Sequence, residues 1–204
     1  MYITCLDLEG VLVPEIWIAF SEESGIPELK RTTRDEPDYA KLMNWRIGIL
    51  KEHGLGLKEI QDVISRIDPL PGAKEFMDEL RLTTQVVILS DTFTQFAQPL
   101  MKKLGMPSIF CNELIVGDDG MITGFKMRQD NGKFHAVKAL QSIGFKAIAS
   151  GDSYNDLAMI HQAEKGFLFR STDKIIADNP DVPAFTEYSE LLGAIKKAVA
   201  EDNR

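Results

Sequence analysis

Leu6-Asp7-Leu8-Glu9-Gly10 is the stretch on which the fold turns. It closes the first apolar run, Tyr2-Ile3-Thr4-Cys5-Leu6, whose β-branched and aromatic content predicts a buried strand. Two carboxylates at i and i+2 on a strand share a face. At the carboxyl end of a parallel strand, that face opens onto the crevice where α/β proteins bind ligands. Gly10 lets the backbone turn away sharply. Acids this close repel one another and call for a cation. An isolated D-x-E is an ordinary acidic turn, but the polar clusters at later strand ends of the chain overturn that reading.

With 44% hydrophobic and 26% charged residues in a length of 204, the chain has the make-up of a soluble protein with a good core and room for a small inserted domain. A net charge of −8 argues against a nucleic-acid or anionic-membrane partner. It leaves a phosphate ligand open, since that needs only a local positive focus or a metal. Cys5 and Cys111 sit in apolar context and are too few for a disulfide framework, which fits a reducing cytoplasm. Cys5 reads as a small core residue of the strand. No signal peptide is expected, because the start lacks a basic flank and Asp7 and Glu9 interrupt the apolar run. No apolar run approaches the ~20 residues of a membrane span.

After Gly10 the pattern becomes helical, from about Pro14 to Ile67: Ile16 to Phe20, Tyr39 to Leu50 and Leu57 to Ile67. Polar breaks fall at Gly25 to Pro27, Thr32 to Pro37 and Gly54 to Gly56. The stiff turn Asp68-Pro69-Leu70-Pro71-Gly72 marks the return. Strands and helices then alternate: helix Ala73 to Leu82, strand Gln85 to Leu89, helix Phe93 to Leu104. A hairpin is expected from Ile109 to Met127 about Gly117-Asp118-Asp119-Gly120. Helix Lys133 to Ile143, strand Ala147 to Ala149 and helix Tyr154 to Gln162 come next. Strand Gly166 to Phe169, a short helix Asp173 to Ala177 and a terminal helix Tyr188 to Ala200 complete the pattern. Such alternation implies an α/β fold, a doubly wound, Rossmann-like parallel sheet. The expected division is a core of residues 1–13 and 69–204 with a helical cap of residues 14–68 inserted after the first strand.

Three further strand ends carry polar clusters. Ser90-Asp91-Thr92 ends one, and a hydroxyl beside a helix N-terminus offers donors to a phosphate, although simple N-capping would use the same residues. Lys133 opens a helix, the unfavourable end of the dipole for a cation, which points to an anionic ligand or clustered carboxylates as its partner. Lys138 is the weaker candidate. Gly151-Asp152-Ser153-Tyr154-Asn155-Asp156 places hard oxygen donors where a buried strand meets a helix, a set suited to magnesium. Asp152 is placed to coordinate directly; Asn155 and Asp156, on the first helical turn, are placed behind it or to hold a loop.

In their order and strand-end placement, Asp7-Leu8-Glu9-Gly10-Val11, Ser90, Lys133 and Gly151 to Asp156 resemble the haloacid dehalogenase superfamily of phosphotransferases. The helical insert resembles the cap of its phosphoserine phosphatase branch. The resemblance implies magnesium-dependent phosphoryl transfer through an aspartyl-phosphate. Asp7 would be the nucleophile, with magnesium held by Asp7, Asp152 and the Glu9 carbonyl, and Lys133 and Ser90 would hold the phosphoryl oxygens. Glu9 would be the acid and then the base, and Glu15 and Arg46 would grip the ammonium and carboxylate of an amino acid. Asp91 and Asn155 join the substrate set. Glu9, where most of the superfamily has Asp, and Ser90-Asp91-Thr92, where phosphoserine phosphatases usually have Ser-Gly-Gly, resemble phosphoserine:homoserine phosphotransferases. The implied substrates are phosphoserine, with water or homoserine as acceptor, in a cytoplasmic monomer or homodimer.

A phosphatase of another small phosphoester, such as a sugar phosphate, and a phospho-accepting signalling domain are the alternatives. His53, His135 and His161 match no ligand spacing and read as surface or interhelical residues. Trp17 and Trp45 are expected to pack the small core of the cap.

Overall fold

The computed structural model describes residues 1–32, 35–36 and 38–201. Of the polar break expected over Thr32 to Pro37, Thr33, Arg34 and Pro37 lie outside the described residues. Seven strands form one sheet: β1 (Tyr2–Leu6), β2 (Gln85–Phe93), β3 (Ser108–Val116), β4 (Ile122–Lys126), β5 (Lys146–Gly151), β6 (Lys165–Phe169) and β7 (Ala184–Phe185). Their spatial order is β4-β3-β2-β1-β5-β6-β7. All neighbours are parallel except the β3–β4 hairpin, whose antiparallel pairing bears out the expectation about Gly117 to Gly120. β1 is central, with β2 on one side and β5 on the other. The crevice at its carboxyl end therefore lies where the strand order reverses, the usual ligand position in open α/β sheets.

Alternation along the strands explains why the sheet is covered on both faces. Leu6 of β1, Ile88 of β2 and Ile148 of β5 enter one apolar cluster. Their neighbours Ile3, Cys5, Val87, Leu89, Ala147 and Ala149 enter the other. The second face is closed by α6 (Gly132–Ser142), α7 (Leu157–Gln162) and α8 (Asp173–Asp178). The first is closed by α4 (Ala73–Arg81), α5 (Thr94–Lys103) and α9 (Tyr188–Glu201).

Between β1 and α4 the chain makes α1 (Ile16–Ser24), a 3-10 turn at Pro27–Lys30, α2 (Tyr39–Glu52) and α3 (Leu57–Ile64). α1 stops at Gly25, whose φ of 71° is left-handed and returns its N–H to the Ser21 carbonyl. α2 starts at Asp38, whose side chain accepts from the Lys41 N–H. Phe20, Met43, Ile60 and Ile64 join the same apolar cluster as Leu6 and Ile88, so these helices are packed into the first face. Two polar contacts add to that seating: Leu57 N–H donates to the Gly120 carbonyl at 2.8 Å, and Gln61 Nε2 to the Gln95 carbonyl at 2.8 Å.

Several boundaries differ from expectation, among them the end of α1, which runs on past Phe20 to Ser24. β2 runs on through Ser90-Asp91-Thr92 to Phe93, because the strand bulges between Leu89 and Phe93 and then re-engages Asn112 of β3. α3 ends at Ile64, not Ile67, and a 3-10 turn at Tyr154–Asp156 precedes α7. The two-residue strand β7 and the turn at Pro27–Lys30 carry too little pattern to be read from sequence. Among the described residues no helix is long and apolar enough to cross a membrane.

Candidate active site

The chain leaves β1 at Asp7, whose N–H is still tied to the Ser150 carbonyl of β5 at 3.0 Å. Asp7 is therefore held at the carboxyl end of the central strand, and its side chain is buried. Residues 8–13 fold back tightly, with Gly10 N–H donating to the Val13 carbonyl at 2.8 Å and Val13 N–H to the Leu8 carbonyl at 3.0 Å. Gly10 is required twice over: its φ is +78°, and a Cβ there would stand 2.5 Å from Asp152 Oδ2.

Lys133, in the first turn of α6, is buried with only 4% of its surface exposed. Its Nζ lies 2.8 Å from Asp7 Oδ1, 2.6 Å from Asp156 Oδ1 and 4.0 Å from Asp91 Oδ2. The lysine in the wrong place for the helix dipole thus has the carboxylate partners its position demands. The other oxygen of Asp156 accepts from the Asp152 and Ser153 N–H groups, each at 3.1 Å, and from Ser153 Oγ at 3.2 Å. Asp156 is fully buried, and Gly151 makes room for it: a Cβ at 151 would overlap the Asp156 carboxyl.

Asp7, Asp152 and Asp156 each bring a carboxylate oxygen within 4.8 Å of the others. Three carboxylates face one lysine, so the cluster carries an excess of negative charge in a low-dielectric setting. Burial, then Asp156, push the Asp7 pKa well above the ordinary aspartate range, against the pull of Lys133. Burial, Asp156 and Glu15 raise Asp152 to about 6. Burial alone would lower Lys133, but Asp156, Asp7 and Asp91 hold it well above the ordinary lysine value, so it stays charged. An all-oxygen anionic set with unbalanced charge is chemically suited to a hard divalent cation.

A cleft of about 1080 Å³ opens over this cluster and is lined by Glu9, Glu15, Tyr39, Arg46, Ser90 and Asn155, among others. Glu9 faces it from the loop after β1, its Oε2 accepting from the Ile16 N–H at the start of α1 at 2.8 Å. Burial and Glu15 raise its pKa to about 8, partly offset by the Ile16 N–H, Lys133 and Arg46. Strand alternation is not the reason for its placement, since β1 ends at Leu6; the turn through Gly10 and the hydrogen bond to Ile16 are. Ser90 Oγ accepts from the Thr92 N–H at 3.2 Å inside the β2 bulge, so its cradle is a bulged strand and not a helix start.

Residues 15–161 match the family described as haloacid dehalogenase-like hydrolase. The chain is 51% identical over 198 residues, 97% of each chain, to phosphoserine phosphatase ThrH of Pseudomonas aeruginosa. It belongs to the haloacid dehalogenase-like hydrolases. A phosphoserine phosphatase of Pseudomonas syringae pv. tomato is 51% identical over 196 residues, 96% of this chain and 83% of that one. A solved phospho-aspartyl intermediate analogue of phosphoserine phosphatase aligns with a TM-score of 0.77 at 25% identity, covering 96% of this chain and 99% of that one.

Apart from Lys138, every candidate residue of this hydrolase lies at the one cleft or directly behind it. Arg46, which α2 periodicity alone would place on a solvated face, is instead buried: its guanidinium lies 4.4 Å from the centre of the Trp17 ring, and one terminal nitrogen donates to the Arg31 carbonyl at 2.7 Å. Its Nε has no partner among the described residues. Burial lowers its pKa to about 10, with Tyr39, Glu9 and Glu15 opposing. Trp17 packs edge-on against Phe20 and Phe96, as expected of a core residue, and also supplies the Arg46 platform. Lys138 and all three histidines are exposed and stand apart from the cluster.

Tyr39 and Asn112 escape a reading by motif. Tyr39 Oη donates to the Asp91 carbonyl at 3.3 Å, and Asn112 Nδ2 donates to the same oxygen at 2.9 Å. Asn112 Oδ1 accepts from the Arg128 N–H at 2.9 Å, so one buried amide ties the Ser90–Thr92 bulge to the segment leading to Lys133. A buried amide within the strand Ser108–Val116, next to the exposed Glu113, is the only sequence signal for it.

Proposed function

We propose that this hydrolase transfers the phosphoryl group of phosphoserine to Asp7 and then to water or homoserine. The observation that carries the reading is the buried Asp7–Lys133–Asp156 cluster at the switch point, beneath a cleft that also holds Glu15 and Arg46. The 51% identity to phosphoserine phosphatase ThrH supports the substrate. We also propose the core of residues 1–13 and 69–204 with a cap of residues 14–68, in a cytoplasmic enzyme acting alone or as a homodimer; its two cysteines are both free and buried.

Asp7 attacks phosphorus as the bond from phosphorus to the serine oxygen breaks, leaving an aspartyl-phosphate. Glu9, with its pKa raised to about 8, holds a proton at neutral pH and delivers it to the departing oxygen. The resulting carboxylate takes the proton from the acceptor hydroxyl as that oxygen attacks phosphorus and frees Asp7. Lys133 and Ser90 orient the phosphoryl oxygens. The Arg46 fork receives the substrate carboxylate and Glu15 its ammonium. Asp7 and Asp152 side chains with the Glu9 carbonyl would hold magnesium, with Asp156 set behind them; when bound, the ion supplies the charge neutralisation that lets two anions meet. Serine and homoserine differ by one methylene, worth ~1–3 kcal/mol of discrimination, so the site that releases serine is expected to admit homoserine as well.

The test is a product assay with phosphoserine and magnesium, with and without homoserine, read by phosphorus NMR. Free phosphate without homoserine, and phosphohomoserine with it, support the reading. No phosphate release from phosphoserine refutes it, and release without phosphohomoserine refutes the transferase half. Arg46→Ala should raise KM for phosphoserine at least tenfold while leaving a sugar phosphate little affected; equal effects on both would favour a different small phosphoester.

A further inference from the structure

Lys133 carries three N–H donors. Asp7 and Asp156 lie within 2.8 Å and take two of them. The third anion at this lysine is Asp91, whose Oδ2 stands 4.0 Å from Nζ, beyond a hydrogen bond but within reach of its charge. Asp91 differs from the other two in that 43% of its side chain is exposed; like Asp7, it lines the cleft.

The Asp91 carboxylate is held in place. Its Oδ2 accepts from Asn155 Nδ2 at 2.9 Å, and its carbonyl accepts from Asn112 Nδ2 and Tyr39 Oη. Three elements thus pin one negative charge beside the only lysine donor that no buried carboxylate engages. A phosphate group bound at Lys133 needs that same donor.

We propose that Asp91 is a product-release residue: its fixed carboxylate competes with the phosphoryl group for Lys133 and weakens the hold on it, so that free inorganic phosphate, which has no other anchor in the cleft, is bound too weakly to stay. A phosphoester of an amino acid offsets the repulsion through Arg46 and Glu15. Inorganic phosphate has no such second anchor and meets the repulsion in full, so it leaves after hydrolysis. This inference rests on the proposed function only in placing the phosphoryl group beside Lys133.

The test is calorimetric titration of inorganic phosphate into the magnesium-loaded protein, wild type against Asp91→Asn and Asp91→Glu. Asparagine keeps the acceptor for Asn155 and removes the charge. It should bind phosphate roughly three- to tenfold more tightly, the range expected for a half-exposed like charge at this distance. Glutamate should bind no more tightly than wild type. Asp91→Ser supplies a second neutral variant should the asparagine protein melt early. Unchanged or weaker phosphate binding in the neutral variants overturns the inference, even in an enzyme fully active on phosphoserine. Tighter binding in a protein inert toward phosphoserine sustains it and refutes the proposed substrate instead.

Discussion

Replacing Lys133 by methionine keeps the length and apolar volume of the stem and deletes the charge that the Asp7 and Asp156 carboxylates share at 2.8 and 2.6 Å. Removing one partner of a buried ion pair costs ~3–5 kcal/mol. Proton uptake sets a ceiling on that cost. Protonating a carboxyl of ordinary pKa ~3.9 requires ~1.4 kcal/mol per pH unit above it, so roughly 2 kcal/mol at pH 5.5 and 5–6 kcal/mol at pH 8. The loss should therefore approach its full size at pH 8 and shrink to about 2 kcal/mol at pH 5.5. Lys133 itself does not create this pH dependence. Its pKa is raised in the fold, so its contribution is complete below the ordinary lysine value and fades only as pH rises past it. For a chain of 204 residues, 1 kcal/mol moves Tm by ~2–4 °C, giving a drop of roughly 6–20 °C at pH 8 and 4–8 °C at pH 5.5. Differential scanning calorimetry in chelator reads both values. A drop under about 3 °C at pH 8, or equal drops at the two pH values, would refute the buried-charge reasoning.

In chelator, the wild type should lose stability as pH rises from about 5 to 8. Asp152 at about 6 and Glu9 at about 8 are carboxyls raised in the fold, so the stability they contribute is present below their ordinary pKa and lost through the raised values. Urea titrations at the two pH values check this, and a flat or rising profile contradicts it. Gly151→Ala forces a Cβ into the Asp156 carboxyl, so divalent-cation affinity and turnover should each fall more than tenfold while far-UV circular dichroism stays native. Tyr188→Phe removes the 2.6 Å hydrogen bond to the Val11 carbonyl that pins the loop after Asp7, and chemical denaturation should show a loss of ~1–3 kcal/mol.

The part of the site that sequence reveals is the part whose cause is local. Asp7, Asp152 and Asp156 stand where an apolar run stops, and the runs themselves state which strands are buried. Lys133 is legible for a related reason: its helix position is unfavourable unless an anion compensates, and a local conflict of that kind points outward to a partner. Arg46 fails the same test. The polar pattern of α2 permits a solvated face, and nothing within a few residues discloses that the Trp17 ring and the Arg31 carbonyl will cover it. Tyr39 is harder still, because its partner is 52 positions away and accepts through a backbone carbonyl, which carries no residue identity.

The Ser90–Thr92 segment marks the boundary between these cases. Its three polar side chains are turn formers, so a strand ending at Leu89 is the correct inference from propensity. The strand continues because β3 offers a second point of registry at Asn112, and the mismatch is taken up as a bulge. That bulge is also what turns Ser90 Oγ onto the Thr92 N–H and sets Asp91 at the mouth of the cleft. Tertiary pairing overrides local preference at a place where the cleft needs an irregular backbone. A substitution that made this segment a regular strand would improve its β-propensity and dismantle the site.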